Sequence, residues 1–271
     1  MKTLNTFFLS FAFLFLGLVP ISAMGQSLPH TFTANTAAKA SEVNENFTYL
    51  LERFGTRKTT VNCSGGESIT TALQNYNHIV ISGICTENLS LDATSLPHRL
   101  VILEGTSSSS DGISASDTSK AVVEIFNGGI TLKATNLEFK NGSYGISAHK
   151  GPTVILENVS IKDNSNDGLH LGGGSYGKIT DSSVTNNSGT QIWAGHNSTL
   201  ILKGSTVTGN TSSSSIKIVN GSSSIIVNNT IKKGKFGIEV RLAARISCWT
   251  LRAAARSAFS FSLTVSNRLA F

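Results

Sequence analysis

The sequence has few charged residues, and its excess of positive charge lies in one place. Of 271 residues only 14% are charged, with 16 Asp or Glu against 22 Lys or Arg. Residues 241–271 contain five arginines and no acid, so subtracting these five from the net charge of +6 leaves +1 for everything before them. A basic balance confined to one end does not predict a nucleic-acid partner.

Long hydrophobic runs are also missing, apart from one at the start. The apolar run from Phe7 to Val19 follows an early lysine and precedes small residues around Ala23 and Gly25. A transmembrane helix needs about 20 apolar residues, and this run is shorter. The pattern predicts a signal peptide over residues 1–25, and therefore a secreted, extracellular or bacterial cell-surface protein rather than an integral membrane protein.

Cysteine is scarce, with three residues in the chain. Cys63 and Cys85 flank one compact segment, whereas Cys248 lies far away near the end. In an exported protein the first two are predicted to form a disulfide, and two buried free thiols are the alternative.

Residues 26–60 are predicted to be a helical N-terminal segment and linker. Apolar residues there recur at spacings of 3, 4, 3 and 4, namely Ala40, Val43, Phe47, Leu50 and Phe54. This is an amphipathic seam of two heptads, too short for a stable coiled coil alone. The helix is therefore expected either to dock on the domain or to assemble a homotrimer through residues 40–54.

A second short helix precedes the strands. Ile69, Ala72, Leu73 and Tyr76 have helical spacing, and three short strand patterns follow between residues 78 and 104. This helix is predicted to cap one end of the structure that the strands build.

From about residue 122 the chain repeats with a period near 23 residues. Two columns of apolar residues keep this phase: Ile146, Leu169, Ile192, Ile216 and Ile238 form the first, and Phe139, Ile161, Val184, Val207 and Ile231 form the second. A column of asparagines follows it too: Asn141, Asn164, Asn187 and Asn210.

A period of this length with three short strands per unit predicts an all-β fold, a right-handed parallel β-helix solenoid over residues 61–240. Each repeat is one coil, and coils stack at roughly 4.8 Å. Helical-repeat pairs and propeller blades need longer units, and the pattern of leucine-rich repeats is missing.

The asparagine column is predicted to occupy tight corners. Asn tolerates left-handed backbone better than other non-glycine residues, and stacked amides can hydrogen-bond along the axis. Asp163, which lies opposite Asn186 and Gly209 in the repeats, is accordingly interpreted as a turn residue.

The repeats, with the opening segments "VNCSGGESITTALQ", "HIVISGIC" and "RLVILEG", resemble the right-handed parallel β-helix superfamily with the pectate-lyase-like fold. They are similar in particular to secreted bacterial β-helix proteins of unassigned activity. The resemblance covers about residues 61–240 and implies the fold, which many enzymes and pure binding proteins share. It also implies that the outward face of the first strand in each coil is a candidate saccharide groove.

One residue of each first strand lies between two buried positions and must point outward. These residues, here called the first-strand column, are Ser147, His170, Trp193, Lys217 and Glu239, and they predict a line about 20 Å long. The line is flanked by Asp167, His149 and His196.

These residue types suit saccharide chemistry. A Trp face can stack on a sugar ring, a Lys can hold a uronate carboxylate, and Asp167 with His170 can move protons near neutral pH. The alternative is that solvent-facing positions of a polar solenoid vary freely and carry no function.

The motifs of the superfamily's enzymes are incomplete. No arginine lies between Arg99 and Arg241, so the arginine base of pectate-lyase-like enzymes has no counterpart in the repeats. "NDG" at 166–168 and "GHN" at 195–197 resemble polygalacturonase-like motifs, but Thr190 and Gln191 stand where the acid pair would be. A hydrolase needs two carboxylates about 5–10 Å apart, and the second one is missing here. The sequence also contains no cluster of acids that could bind calcium, so no metal and no cofactor is predicted.

After Val240 the period stops and glycine disappears. Residues 241–271 are predicted to be an Arg/Ala-rich tail unrelated to the coils. A helical C-terminal cap is one interpretation, and a truncated or frame-shifted end is the one we favour.

The sequence thus favours an exported carbohydrate-binding, surface-binding or structural module. The alternative is a polysaccharide lyase or glycoside hydrolase acting on uronate-containing glycans, with Asp167 and His170 as acid and base and Trp193 as a stacking platform.

Overall fold

The computed structural model describes residues 31, 39, 41–46, 56–253 and 261–264. Within these ranges the chain is an all-β, right-handed parallel solenoid of about eight turns, as predicted. Successive coils pair through parallel strands, so each strand lies directly over its counterpart in the previous coil.

Two sheets form the walls of the solenoid. The first holds one strand from each coil: β4 (Leu89–Asp92), β7 (Val123–Phe126), β10 (Ile146–Ala148), β13 (Leu169–Leu171), β16 (Ile192–Ala194), β19 (Ile216–Ile218), β21 (Ile238–Arg241) and β23 (Phe261–Thr264). Its outward side is the first-strand face.

The second sheet has 15 strands and supplies the other two sides. One side, the second-strand face, is β1 (Lys58–Asn62), β2 (His78–Ser82), β5 (Leu100–Glu104), β8 (Thr131–Thr135), β11 (Thr153–Glu157), β14 (Tyr176–Thr180), β17 (Thr199–Lys203) and β22 (Arg245–Ala253). The other is β3 (Ile84–Thr86), β6 (Gly112–Ser114), β9 (Glu138–Lys140), β12 (Ser160–Lys162), β15 (Ser183–Thr185) and β18 (Thr206–Thr208), while β20 (Ser223–Lys232) and its partner β22 run along both.

Both predicted apolar columns are confirmed by the strand register. Leu169 pairs with Ile192 in the first column, and Ile161 pairs with Val184 in the second. All four side chains are fully buried. Each contributes about 1.5–3 kcal/mol of hydrophobic free energy, so the repeated column is the main source of stability.

The predicted capping helix is α2 (Ile69–Ala72), which packs beside β1, β2 and β4. Ser68 caps it by accepting a hydrogen bond from the Thr71 amide. The Glu87 carboxylate also accepts from the Ile69 and Thr70 amides at 2.7 and 3.1 Å, which satisfies donors that the helix leaves free. Ile69 is fully buried, so the helix closes this end of the core.

The disulfide between Cys63 and Cys85 is present, with the two Cα atoms 4.7 Å apart. It ties the 3-10 turn Cys63–Gly65 to β3 beside the capping helix. The predicted pairing is confirmed.

The asparagine column differs from its prediction at the corner. Lys140 pairs with Lys162, so Asn141 aligns with Asp163 and not with Asn164. Asn141, Asp163 and Asn186 have φ of 64°, 57° and 56°, so these residues occupy the left-handed position. The turn role of Asp163 is confirmed. A left-handed backbone at Asn164, Asn187 and Asn210 was a wrong expectation, because the step from Lys140 to Lys162 is 22 residues and shifts the corner by one position.

The expected hydrogen bonding along the solenoid axis is present. It joins buried side-chain amides of the residues that directly follow the left-handed corner position. The Gly142 amide donates to Asn164 Oδ1 at 2.9 Å, and Asn164 Nδ2 donates to Asn187 Oδ1 at 2.8 Å. Asn187 Nδ2 in turn donates to Gln191 Oε1 at 2.8 Å. Asn164 and Asn187 are both 1% exposed. This amide ladder, the hydrogen-bonded series Gly142, Asn164, Asn187 and Gln191, therefore provides partners for the buried polar groups inside the corner.

Parallel pairing continues past Val240, where the sequence led us to expect the coils to end. Strand β22 pairs with β20, and β23 pairs with β21. The backbone of the tail therefore adds strands in the same register, although its composition differs from that of the coils.

The N-terminal unit, residues 1–53, is described only in part. Residues 41–46 form a helical segment, α1, in which the Val43 amide donates to the Lys39 carbonyl. The rest of the predicted seam and the predicted signal peptide lie outside the described residues. None of the helices in the described ranges is long and apolar enough to cross a bilayer.

Candidate functional site

The first-strand column is present in the register that the repeat predicts. Cα pairing aligns Ser147 with His170, His170 with Trp193, Trp193 with Lys217, and Lys217 with Glu239. The same column continues in the other direction to Glu124 and Ser90, which the sequence analysis missed. The alternation of "VVEIF" at 122–126 around buried Val123 and Ile125 was the signal for Glu124.

The rings on this face stack on one another. The His170 imidazole and the Trp193 indole are nearly parallel, with centroids 4.1 Å apart and planes at 14°. His149 lies 5.2 Å from His170, and His196 lies 5.6 Å from Trp193. One face of the indole is thus covered by the His170 imidazole.

Two glycines make room for these rings. A Cβ at Gly195 would lie 2.1 Å from the Trp193 ring, and a Cβ at Gly172 would lie 2.8 Å from His149 Nδ1. The Trp193 ring therefore lies close over Gly195, just after its own strand, and the His149 ring lies close to Gly172 of the next coil.

Asp167 and His170 are in direct contact, as the sequence hypothesis required. Asp167 Oδ2 is 2.9 Å from His170 Nδ1, and Asp167 Oδ1 accepts a hydrogen bond from the Thr190 amide at 2.8 Å. Asp167 is only 8% exposed, so its carboxylate is fixed by the fold and orients the imidazole. The pair is built to position a proton at His170.

Ser147 and His149 form a second contact beside this pair. Ser147 Oγ lies 2.9 Å from His149 Nε2. Burial first, and then the charges of His170, His196 and Lys150, lower the pKa of His149. His149 therefore stays neutral near pH 7 and adds no charge to the face.

Ser147 and Glu239 lie in the predicted column, but they are not exposed to solvent as expected, since each is 3% exposed. Ser147 lies under His149, and Glu239 is enclosed by an ion pair with Arg241, a hydrogen bond from Ser214 and Lys217 Nζ at 4.0 Å. Both side chains are buried because side chains from neighbouring positions cover them.

An open polar pocket of about 220 Å³ surrounds Glu239. Three cationic side chains, Lys217, Lys235 and Arg241, line it together with the Phe236 ring. Its other lining residues carry hydroxyl groups: Thr190, Ser212, Ser213 and Ser214. With one carboxylate against three cations, the pocket has a net positive charge.

The "GHN" segment is a turn. His196 and Asn197 are exposed and have φ of 54° and 64°. The similarity to a Gly-His-Gly motif therefore reflects a corner, although it does bring the His196 ring beside Trp193.

Tyr144 is a further residue of the face that the sequence did not single out. Its ring meets the His170 imidazole edge-on, with centroids 5.4 Å apart, and its hydroxyl accepts a hydrogen bond from Asn166 Nδ2 at 2.8 Å. Burial first, and then the charge of Asp167, raise the pKa of Tyr144. Burial likewise raises the pKa of Glu124, against the opposing charge of Lys120.

Metal binding has no obvious location on this face. Among the residues that the structure describes, no three His, Cys, Asp or Glu side chains come together as ligands. The face instead offers stacked rings, hydroxyls and a cationic pocket.

Comparison with known proteins places the fold in a family. The family model described as "Right handed beta helix region" matches residues 112–248, just over half of the chain. No curated protein and no solved structure matches the chain. The register of the strands and this match agree, and the chain belongs to the right-handed β-helix family, within a fold consistent with the pectate-lyase-like superfamily.

Proposed function

We propose that this protein is a binding module for acidic polysaccharides, which it holds along the first-strand face. The pocket at Lys217, Lys235 and Arg241 carries the proposal, because it combines net positive charge with several hydroxyl groups and one aromatic ring. Cationic groups bind carboxylates, and hydroxyls exchange hydrogen bonds with sugar hydroxyls.

The neighbouring coil extends this surface. Trp193 aligns with Lys217, so the indole lies one coil from a lysine that lines the pocket. An aromatic face next to cations suits a uronate unit, whose ring stacks while its carboxylate pairs with a lysine. A chain of such units would run parallel to the solenoid axis, over the aligned column.

We further propose that binding takes place outside the cell or at its surface. The apolar segment within residues 1–25 supports export. The Cys63–Cys85 disulfide supports it independently, because such bonds persist in oxidising compartments. Assembly into a trimer through residues 40–54 stays a prediction.

Calorimetric titration with polygalacturonate, alginate and a neutral glucan tests the function. We expect binding to both uronate polymers and none to the glucan. Lys217→Gln is expected to weaken binding about tenfold, the loss of roughly one hydrogen bond to a charged group. Lys178→Gln is the matched control, because Lys178 is exposed on the second-strand face. Equal affinity for the neutral glucan, or equal loss in both variants, would contradict the proposal.

A further inference from the structure

The second-strand face is a broad, regular sheet whose outward side is open to solvent. Strands β8, β11, β14 and β17 each have five residues, whereas their counterparts on the other two sides have three or four. Each of these strands turns three side chains outward, and all of them are half-buried or exposed. Because purely parallel sheets usually have both faces covered, this open face is a candidate interface.

The middle column of outward side chains is rich in isoleucine. It consists, in order along the axis, of Ile102, Lys133, Ile155, Lys178, Ile201 and Ile225. Ile225 is 44% exposed and is one of only two large hydrophobic side chains exposed within the described ranges. Ile155 and Ile201 are half-buried. A row of apolar side chains on a surface is typical of a protein interface.

A second column changes its charge along the axis. Glu157, Thr180 and Lys203 follow one another in three successive coils. Glu157 and Lys203 are exposed, and neither forms an ion pair with a residue that the structure describes. An acid and a base therefore lie one coil to either side of Thr180, with no partner of opposite charge in their own chain's described part.

A second copy of the chain provides both partners when it is turned about a two-fold axis that runs along β14. This rotation packs the two faces together and keeps each column opposite the same column of the second copy, with the order of the coils reversed. The coil before β14 then faces the coil after it. Glu157 of each copy accordingly meets Lys203 of the other, and the dimer contains this contact twice.

The same rotation matches the other two columns. Ile155 of each copy faces Ile201 of the other, so the isoleucines pack together across the interface. Thr153 faces Thr199 in the third column, and these small side chains let the two sheets approach. Tyr176, which lies between them, is on the axis and faces its own copy. All three columns are thus self-complementary about β14.

The charges select this axis among the neighbouring ones. Lys178 faces its own copy on the axis, but Glu157 of each chain lies one coil and one column away, within reach of a long side chain. An axis along β11 would instead bring the two copies of Glu157 together, and an axis along β17 would bring the two copies of Lys203 together. Only the axis along β14 separates both pairs of like charges and joins the unlike ones.

The area of contact is sufficient for a reversible dimer. A five-residue strand is about 17 Å long, and the seven coils from β5 to β22 span about 34 Å at the usual spacing. The two copies together would bury roughly 1,100 Å², which exceeds the roughly 1,000 Å² that distinguishes a specific interface from a crystal contact.

We propose that two copies of this chain form an antiparallel dimer through the second-strand face, with the two-fold axis along β14. The first-strand face belongs to the other sheet and stays uncovered in this dimer. The dimer can therefore be tested without a glycan, and its failure would leave the proposed binding function standing.

Sedimentation equilibrium of the purified chain over a range of concentrations measures the association. We expect a reversible equilibrium between one and two chains, with a dissociation constant in the micromolar range. A mass of one chain at every concentration, or of three chains, overturns the dimer.

Two charge reversals test the position of the axis. Glu157→Lys places lysine opposite lysine twice in the dimer, and Lys203→Glu places acid opposite acid twice. Each variant alone should dimerise at least about 100-fold more weakly than wild type, because like charges that face each other oppose binding. An equimolar mixture of the two variants should dimerise again, since every cation of one variant then faces an acid of the other. Single variants that dimerise like wild type, or a mixture that stays monomeric, overturn this arrangement.

The apolar column is tested by Ile201→Lys, with Thr185→Lys as the matched control. Both residues are half-buried and point outward, but Thr185 lies on the side that contains β15. Ile201→Lys should weaken the dimer at least about tenfold, because it removes an apolar contact made twice, and Thr185→Lys should leave it unchanged. Circular dichroism shows whether both variants keep the fold. Equal dimerisation in the two folded variants overturns the role of this face.

Discussion

The imidazole of His170 stacks on the indole of Trp193, one coil above it, at 4.1 Å between centroids. This contact links two parts of the first-strand face, since His170 is bound by Asp167 and Trp193 aligns with Lys217, which lines the cationic pocket. The stack exists because Gly195 lets the indole lie against the strand.

Gly195→Ala is expected to break this arrangement. The new Cβ would overlap the indole at 2.1 Å, and overpacking of this kind costs about 1–3 kcal/mol of unfolding free energy. The near-ultraviolet circular dichroism of tryptophan should change as well. Gly65→Ala serves as the control, because its nearest neighbour is at an ordinary 3.5 Å. Identical stability and spectra in both variants would show that the stack is not as described.

The amide ladder predicts that substitutions at two adjacent asparagines lower the unfolding free energy by very different amounts. Asn187→Ala removes a buried side chain that accepts from Asn164 and donates to Gln191, so unfolding free energy should fall by about 2–4 kcal/mol. Asn186→Gly changes an exposed residue with φ of 56°, which glycine adopts freely, and should be nearly neutral. Chemical denaturation of the two variants measures the difference, and similar values would argue against the ladder.

Because the carboxylate of Asp111 is hydrogen-bonded in the folded protein, we expect the protein to lose stability in acid. Burial tends to raise its pKa, but hydrogen bonds from the Thr106 hydroxyl and from the Gly83, Thr106 and Ser107 amides outweigh it and lower the pKa to about 2. A depressed pKa stabilises the fold above the ordinary value of 3.8, and that contribution disappears as the pH falls toward about 2.

Asp111→Asn should remove this pH dependence. We expect the variant to be about 1–2 kcal/mol less stable than wild type at pH 7 and to lose less stability between about pH 4 and pH 2. Denaturant midpoints across that range provide the measurement. Parallel curves for the two proteins would show that Asp111 does not carry the effect.

Reduction of the Cys63–Cys85 disulfide is expected to destabilise the chain by about 3 kcal/mol, from the loop entropy of a 22-residue separation. Unfolding midpoints with and without reductant measure this. The double variant Cys63→Ala, Cys85→Ala should match the reduced protein and be insensitive to reductant. A shift on adding reductant to the double variant would point to another cause.

The sequence predicted the buried columns of the core, because a constant repeat length places the same apolar position of every coil in the interior. Leu169 over Ile192 needs only a constant period and alternating sides. Asn141 shows where this reasoning fails, since one coil is a residue shorter and the corner residue shifts by one position.

The candidate site was less predictable than the core. The repeat period predicted that Ser147 and Glu239 belong to the first-strand column. It did not predict that they are buried, because the side chains that cover them come from other positions: His149, Arg241 and Ser214. Tyr144 was missed because it aligns with an aspartate in the next coil, so no repetition of residue type marks it. Contacts between rings in adjacent coils depend on side-chain conformations, which spacing does not determine.

The capping helix and the disulfide both lie at the coil that is synthesised first. In a solenoid each repeat contacts only its neighbours, so an ordered coil presents a row of unpaired backbone groups on which the next can form. The second coil would therefore find a complete row of pairing groups as soon as the first is ordered. Folding would advance in one direction, coil by coil.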